Sequence, residues 1–103
     1  MEVAEEHKEH QHHAVKVSVI YVNTGRKVEF EINTKDTFNE LLNTAYKKLG
    51  EPRKDTDQYF CVNGMSLQNS LSQTVGEIIK TECKQAVFEI RGNTGGARSS
   101  FYF

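Results

Sequence analysis

Features that mark several protein classes are missing from this sequence. Its 103 residues include only two cysteines, Cys61 and Cys83. Two cysteines are too few for a disulfide framework, and neither belongs to a CxxC pair. We therefore expect Cys61 to be an inert packed thiol, and we assign no chemistry to Cys83. A reducing compartment, the cytosol or the nucleus, is the expected location.

The charge and the hydropathy of the sequence exclude further classes of protein. The formal net charge of −1 provides no overall attraction to nucleic acid or to an anionic membrane. No apolar run approaches the roughly 20 residues needed to span a bilayer. The polar, acidic beginning of the chain does not resemble a secretory signal. The length favours one domain with a small core. We expect a monomer with neither nucleic acid nor membrane among its partners.

Residues 1–13 contain almost nothing apolar that could offset the entropy of ordering, which predicts a disordered polar arm. The arm carries His7, His10, His12 and His13. Their spacing lacks the cysteine partners of a structural zinc site. Two interpretations remain, weak adventitious metal binding and a solvated tail, and the composition favours the tail. We predict no metal site and no cofactor.

The folded domain is predicted to span residues 14–91. Apolar and polar residues alternate over residues 14–21 and 27–32, which indicates two β-strands. Asn23, Thr24 and Gly25 supply turn residues between these strands. The two strands are therefore predicted to form an antiparallel hairpin.

A change of period after this hairpin predicts the main helix. Thr37 and Glu40 fit a capping box, and Gly50 followed by Pro52 is a stop signal. An apolar stripe at helical spacing should lie across the sheet. The residues of this stripe are Phe38, Leu41, Leu42, Ala45 and Leu49.

The second half of the domain alternates short elements with turns. Residues 53–57 form a predicted charged loop, and the apolar run 59–62 predicts a buried central strand. Asn63-Gly64 favours a hairpin turn into a short returning strand at residues 65–67. Leu71 is expected to reach the core from a loop.

A second capping box, Thr74 to Glu77, should open a single helical turn before the last strand at residues 85–91. The order of elements predicts an α+β fold of β-grasp type. In it, one main helix packs across a mixed sheet of four to five strands. The first and last strands would be parallel at its centre, which the long connection between them permits.

The last strand leads directly into a glycine-rich tail, residues 92–103. Glycine lacks a Cβ, so Gly95 and Gly96 would allow close passage through a narrow enzyme channel. From Gly92 to Gly96 the chain can extend roughly 17 Å. A frayed terminus is the alternative interpretation. Arg91, at the root of the tail, is expected either to make charged contacts or to be solvated.

These features resemble the ubiquitin-like modifiers over residues 14–96. The SUMO family is similar in outline, with a polar arm, the same element order and an ending like Thr94-Gly95-Gly96. The ubiquitin-fold modifier family is similar in more detail, in the helix segment 37–45 and in the Asn-Gly turn followed by Gln73-Thr74-Val75-Gly76. That family ends in a single glycine, whereas here Gly95 precedes Gly96 and seven residues follow.

The resemblance implies a modifier made as a precursor. A processing protease would cut between Gly96 and Ala97, and the tail, with Thr94 and Arg91, would be recognised by the enzymes of the pathway. The Gly96 carboxylate would be adenylated with ATP and passed to an activating enzyme as a thioester. It would then pass to a conjugating enzyme, with ligating enzymes as further partners, and finally to a target lysine. The sequence shows no combination of nucleophile, base or metal ligands that would predict an enzyme.

Two other functions compete with this hypothesis. A non-covalent interaction module would keep the apolar ending Phe101-Tyr102-Phe103, which could be a docking motif. A sulfur carrier would use terminal glycines as a thiocarboxylate, but the seven residues after Gly96 oppose this hypothesis. A fold alone does not decide among these functions.

Overall fold

The computed structural model describes residues 14–92, which form four strands and two helices. The strands are β1 (Ala14–Tyr21), β2 (Arg26–Asn33), β3 (Gln58–Cys61) and β4 (Val87–Arg91), and the helices are α1 (Phe38–Leu49) and α2 (Val75–Thr81). The strands form one mixed sheet in the order β2-β1-β4-β3. The predicted α+β fold of β-grasp type is confirmed, with a four-stranded sheet. The predicted arm, residues 1–13, and the tail beyond Gly92 lie outside the described residues.

The first hairpin follows the alternation of its residues. β1 and β2 are antiparallel, with Val17 opposite Phe30 and Val15 opposite Ile32. The turn is closed by bonds from the Thr24 and Gly25 amides to the Tyr21 carbonyl, and Gly25 has a φ of +77°. Such a φ favours glycine. The predicted hairpin and its turn are therefore confirmed.

Helix α1 begins and ends where the capping signals predict. The Thr37 hydroxyl accepts a bond from the Glu40 amide, and the Glu40 carboxylate accepts one from the Thr37 amide. Gly50 takes the left-handed conformation at the other end, with a φ of +72°. The Arg26 guanidinium donates to the Leu49 carbonyl at 2.8 Å, which satisfies a helix-end acceptor and joins the hairpin to the helix. All five residues of the predicted stripe are buried.

The loop before α2 completes the first turn of α1. The Phe38 amide donates to the Gln73 carbonyl at 2.9 Å, and the Asn39 amide donates to the Leu71 carbonyl at 3.0 Å. These bonds satisfy two amides that have no partner within the helix. Leu71 is half-buried against the core, as predicted. Helix α2 begins after its cap Thr74 and runs for seven residues, longer than the single turn predicted.

The core lies between the sheet and α1. The Phe38 ring packs on Phe88 from the central strand β4, with 5.3 Å between ring centroids, and on Tyr59 at 6.2 Å. The parallel pairing of β1 and β4, with Val19 opposite Phe88, confirms the predicted centre of the sheet. All four of these side chains are almost completely buried.

Strand β3 lies at the edge of the sheet, so its prediction as a buried central strand was wrong. Only alternate residues of its apolar run face the core: Tyr59 and Cys61 are buried, whereas Phe60 is half-buried and Val62 is 40% exposed. The predicted returning strand at residues 65–67 is a single bridge between Phe60 and Ser66. A run of four apolar residues can have the same composition at the edge of a sheet as in its centre, so composition did not reveal the edge position of β3.

Cys61 and Cys83 form a disulfide bond, so the prediction of an inert thiol at Cys61 and of no chemistry at Cys83 was wrong. The bond joins β3 to the segment between α2 and β4, and the two Cα atoms are 5.5 Å apart. Both residues are completely buried. The cysteine count indicated no multi-bridge framework, but it carried no information on whether the fold would bring these two residues together. The disulfide also removes the argument from free cysteines for a reducing compartment.

Candidate functional site at the root of the C-terminal segment

The central strand β4 carries the chain to the site that the sequence predicted. β4 is held on one side by parallel β1 and on the other by antiparallel β3. After β1 ends, the Val22 amide still donates to the Ile90 carbonyl at 3.0 Å. The last residues of β4 are thus hydrogen-bonded on both sides, and the chain leaves the sheet from a fixed position.

The side chain of Asn23 continues this pairing past the end of the sheet. Its Oδ1 accepts a hydrogen bond from the Gly92 amide at 2.9 Å, and its Nδ2 donates to the Gly92 carbonyl at 3.4 Å. A carboxamide presents one acceptor and one donor, so it can satisfy both backbone groups of one residue. We call this pair the Asn23–Gly92 clasp. It fixes the backbone at the residue where the predicted tail begins.

Gly92 fits the clasp because it has no side chain. A Cβ at this position would lie 3.1 Å from Nδ2 of Asn23 and 3.3 Å from the hydroxyl of Tyr21. Contacts this short require the neighbouring side chains to move. The Tyr21 ring is buried, and burial is the main cause that raises the pKa of its hydroxyl. A neutral hydroxyl and an amide therefore surround the root of the tail.

Sequence reasoning missed Asn23 as a site residue. It interpreted Asn23 as one of three turn residues, and the turn is indeed where the structure places it. The partner Gly92 lies 69 residues further along the chain. The parallel pairing of β1 with β4 brings the turn beside the end of β4. Local sequence patterns do not indicate that Asn23 and Gly92 are close in space.

Arg91, the predicted recognition residue, is engaged rather than free. Its guanidinium donates from Nε and Nη2 to one oxygen of Glu89, at 3.2 and 2.9 Å. Its Cζ lies 4.2 Å from the centroid of the Phe60 ring, within the range of a cation–π contact. The side chain remains 47% exposed. Arg91 therefore pairs with Glu89 of its own strand and still presents a cation to solvent beside the clasp.

The other predicted site residues lie outside the described residues. They are Thr94, Gly95, Gly96 and Ala97, and they begin two residues after Gly92. The structure thus brings together Arg91 and the root of the tail, and it carries no geometry for the predicted cut after Gly96. The four histidines of the arm likewise lie outside the described residues.

The sheet presents a partly apolar surface on the side opposite α1. Alternation places Phe60 in a row with Glu89 and Ile20, and Val62 in the next row with Val87. Val22 follows β1 on the same side and is 45% exposed. We call this surface the exposed sheet face. Its apolar members are Ile20, Val22, Phe60, Val62 and Val87.

Charged residues border the exposed sheet face along β2. The Glu29 carboxylate lies 3.4 Å from the ammonium of Lys27 and 3.6 Å from that of Lys16. The hydrogen bond from Lys27, followed by the charge of Lys16, lowers the pKa of Glu29. These pairs are open to solvent, so salt screens them and they add little to stability. They line this edge of the apolar surface with charges of both signs.

A buried polar network lies below α1, on the core side of the sheet. The Asp57 side chain is 1% exposed, and its Oδ2 accepts hydrogen bonds from the Tyr46 hydroxyl and, at 3.2 Å, from the Lys54 amide. Burial, and then the bond to Asp57, raise the pKa of Tyr46. The Arg53 guanidinium donates to the Tyr59 hydroxyl at 3.2 Å. The network ties the charged loop to α1 and β3, and Asp57 was not predicted to be buried.

Among residues 14–92, no three His, Cys, Asp or Glu side chains form a potential metal site, and both cysteines are in the disulfide. A shallow groove of about 480 Å³ is lined by Val15, Thr34 and residues of α2. Its polar residues include Thr34, Glu77 and Lys80. Within residues 14–92, no helix is long and apolar enough to cross a membrane.

These observations define the protein, as a class, as a β-grasp domain whose central strand ends in a clasped glycine. Comparison with known proteins adds no more specific assignment, because no protein-family model matches the chain and no curated protein matches it.

Proposed function

We propose that this protein is a ubiquitin-like modifier precursor. It would be processed after Gly96 and joined through the Gly96 carboxylate to lysines of target proteins. The observation that carries the proposal is the position of β4. This central strand runs without interruption into the clasped Gly92, and the Gly95-Gly96 pair follows three residues later. A fixed origin followed by a segment that ends in two glycines would suit a chain end that must enter a narrow enzyme channel.

The proposed chemistry belongs to the partner enzymes. A processing protease would expose the Gly96 carboxylate, and adenylation with ATP would activate it. A cysteine of the activating enzyme would displace AMP and form a thioester, which the conjugating and ligating enzymes would transfer to a lysine amine. The contributions of this chain are the carboxyl end, the narrow Gly95-Gly96 segment and the Arg91 cation beside its root. The chain itself would act without a cofactor and would not be an enzyme.

A non-covalent interaction module is the second candidate. The exposed sheet face supports it, because Val22 and Val62 are 45% and 40% exposed and adjoin the half-buried Phe60. Contiguous apolar surface of this kind is typical of sites that bind other proteins. In this alternative the Gly-Gly pair is incidental, and binding survives the substitution Gly96→Ala.

The proposed location is the cytoplasm and the nucleus, where the disulfide would meet a pool of reducing thiols. Cys61 and Cys83 are both completely buried. A thiolate must reach a sulfur atom to exchange with it, so attack requires local opening of β3. Burial therefore supports persistence of the bond in such a compartment. Alkylation of the protein in lysed cells, with and without prior reduction, would measure the oxidised fraction directly.

The deciding experiment is mass analysis of the protein recovered from its own cells. We expect a species ending at Gly96, together with heavier adducts that yield target lysines carrying the tail remnant. Gly96→Ala should abolish the adducts, whereas the matched substitution Ser100→Ala, in the removed segment, should leave them unchanged. Recovery of only the chain ending at Phe103, with no adducts, would exclude the modifier and favour the interaction module.

A further inference from the structure

The terminal motif Phe101-Tyr102-Phe103 has no part in the proposed conjugation, and the exposed sheet face leaves Val22 and Val62 open to solvent. We propose that these two features are partners: in the intact chain, Phe101 and Phe103 dock on the exposed sheet face. The inference goes beyond the proposed function, since it concerns the chain before any processing.

The position of the tail root supports this assignment. Arg91 lies on the exposed sheet face, because its guanidinium covers the Phe60 ring and pairs with Glu89 on the same side. The Asn23–Gly92 clasp then holds the next residue in place. The segment that follows therefore starts at the border of the apolar surface, one residue beyond Arg91.

The length of the segment matches the surface. The five residues from Gly92 to Gly96 extend roughly 17 Å, and the six residues from Gly96 to Phe101 extend roughly 20 Å. The Gly95-Gly96 pair can reverse the chain, because glycine accepts the conformations that tight turns need. A return from that turn places Phe101 near Arg91 and Phe60. Phe103 then falls about 7 Å further along β4, beside Val62.

Alternation in an extended chain distinguishes the three aromatic residues. Neighbouring side chains of such a chain point to opposite sides, so Phe101 and Phe103 share a side and Tyr102 points away. Of the two residues without a polar group, Phe101 would face the Arg91 guanidinium stacked on Phe60, and Phe103 would face Val62. The tyrosine hydroxyl would face water. Tyr102 is therefore the natural control position.

Tethering favours this occupant over a separate molecule. The motif is joined to the surface by a short segment, and short flexible linkers give effective concentrations on the order of millimolar. A second copy of the chain would have to reach that concentration to compete. Under the proposed processing after Gly96, the cut would release residues 97–103 and uncover the face; this consequence alone rests on the proposed function.

The test compares methyl NMR spectra of the intact protein and two variants, at two concentrations tenfold apart. The double substitution Phe101→Ala and Phe103→Ala should shift the methyl signals of Ile20, Val62 and Val87, because aromatic rings leave the face. Core signals such as Leu42 should stay in place, and Tyr102→Ala should leave all of these signals nearly unchanged.

Three NMR results would overturn the proposal. They are unchanged face signals in the double variant, equal shifts in Tyr102→Ala, and shifts that depend on concentration, which would indicate a second copy. Removal of Phe103 by a carboxypeptidase gives an independent readout. If the docked state is about 90% populated, Val62→Ser should speed this removal up to about tenfold. Equal rates would contradict docking, and Val62 is exposed enough for the variant to fold.

Discussion

At the residue scale, Asn23 is the least expected contributor to the site. Asn23→Ala removes both hydrogen bonds of the clasp. One net hydrogen bond contributes about 1 kcal/mol, so we expect hydrogen exchange at the Gly92 amide to become about fivefold faster. NMR-detected exchange measures this rate. Asn33→Ala is the matched control, because Asn33 caps a turn through the Lys35 amide instead. An unchanged Gly92 rate in Asn23→Ala would show that the clasp does not hold.

The buried pair of Tyr46 and Asp57 makes a second residue-scale prediction. Tyr46→Phe removes the hydroxyl that donates to Asp57, and leaves a buried carboxylate oxygen with only the Lys54 amide as donor. We expect the free energy of unfolding to fall by about 1–3 kcal/mol, the usual penalty for an unsatisfied buried group. Urea unfolding measures it. Tyr59→Phe should have a smaller effect, because its hydroxyl contacts the half-buried Arg53.

The same tyrosine predicts a pH dependence. The fold raises the pKa of Tyr46 above its ordinary value of 10.0. The folded state therefore favours the neutral phenol, and this stabilisation is complete below pH 10 and is lost as pH rises above it. We expect the parent protein to lose stability between pH 10 and 11 more steeply than Tyr46→Phe does. The fold also raises the pKa of Tyr21, but Tyr21 is present in both proteins, so its contribution cancels in the comparison. Parallel stability curves would contradict the assignment.

At the element scale, α1 was the most predictable part of the fold. Its capping box, its apolar stripe and its terminal Gly50 are local signals, and local bonds satisfy them in the structure. Tyr46 was not included in the apolar stripe, although it is 4% exposed. A tyrosine becomes buried where its hydroxyl finds a partner, and that partner, Asp57, comes from another element.

Strand β3 and the disulfide show where local pattern stops being sufficient. The order of strands in a sheet depends on long-range pairing, so a short apolar run does not reveal whether it lies at an edge or in the centre. The pairing of Cys61 with Cys83 depends on the same register, since Cys61 lies opposite Phe88 on β4. Neither feature has a signal within a window of ten residues.

The disulfide makes the element-scale prediction. Replacing both Cys61 and Cys83 with alanine opens a loop with a sequence separation of 22 residues. The chain-entropy relation for such a loop predicts a loss of about 3 kcal/mol in unfolding free energy. Urea unfolding with and without dithiothreitol tests it: the reductant should destabilise the parent and leave the double variant unchanged. Equal sensitivity of the two proteins would mean that the bond does not form in solution.

At the scale of the whole molecule, the element order predicted the topology because few arrangements satisfy it. An antiparallel hairpin, a helix on one face and a long return connection leave the parallel pairing of β1 with β4 as the natural centre. The candidate site was predictable only in part. Arg91 was identified from its place at the end of a strand, whereas the roles of Asn23 and Phe60 depend on contacts across the sheet.

The Cys61–Cys83 bond also makes part of this protein a covalent ring. One backbone cut within residues 62–82 would produce two polypeptides. They would remain a single molecule, because Cys61 lies on one side of the cut, Cys83 lies on the other, and the disulfide bond joins them. After limited proteolysis in the loop 68–73, we expect one species on a gel without reductant and two with reductant. Separation without reductant would show that the ring is open. The C-terminal piece, with β4 and the clasped Gly92, would thus stay attached to β3 after such a cut.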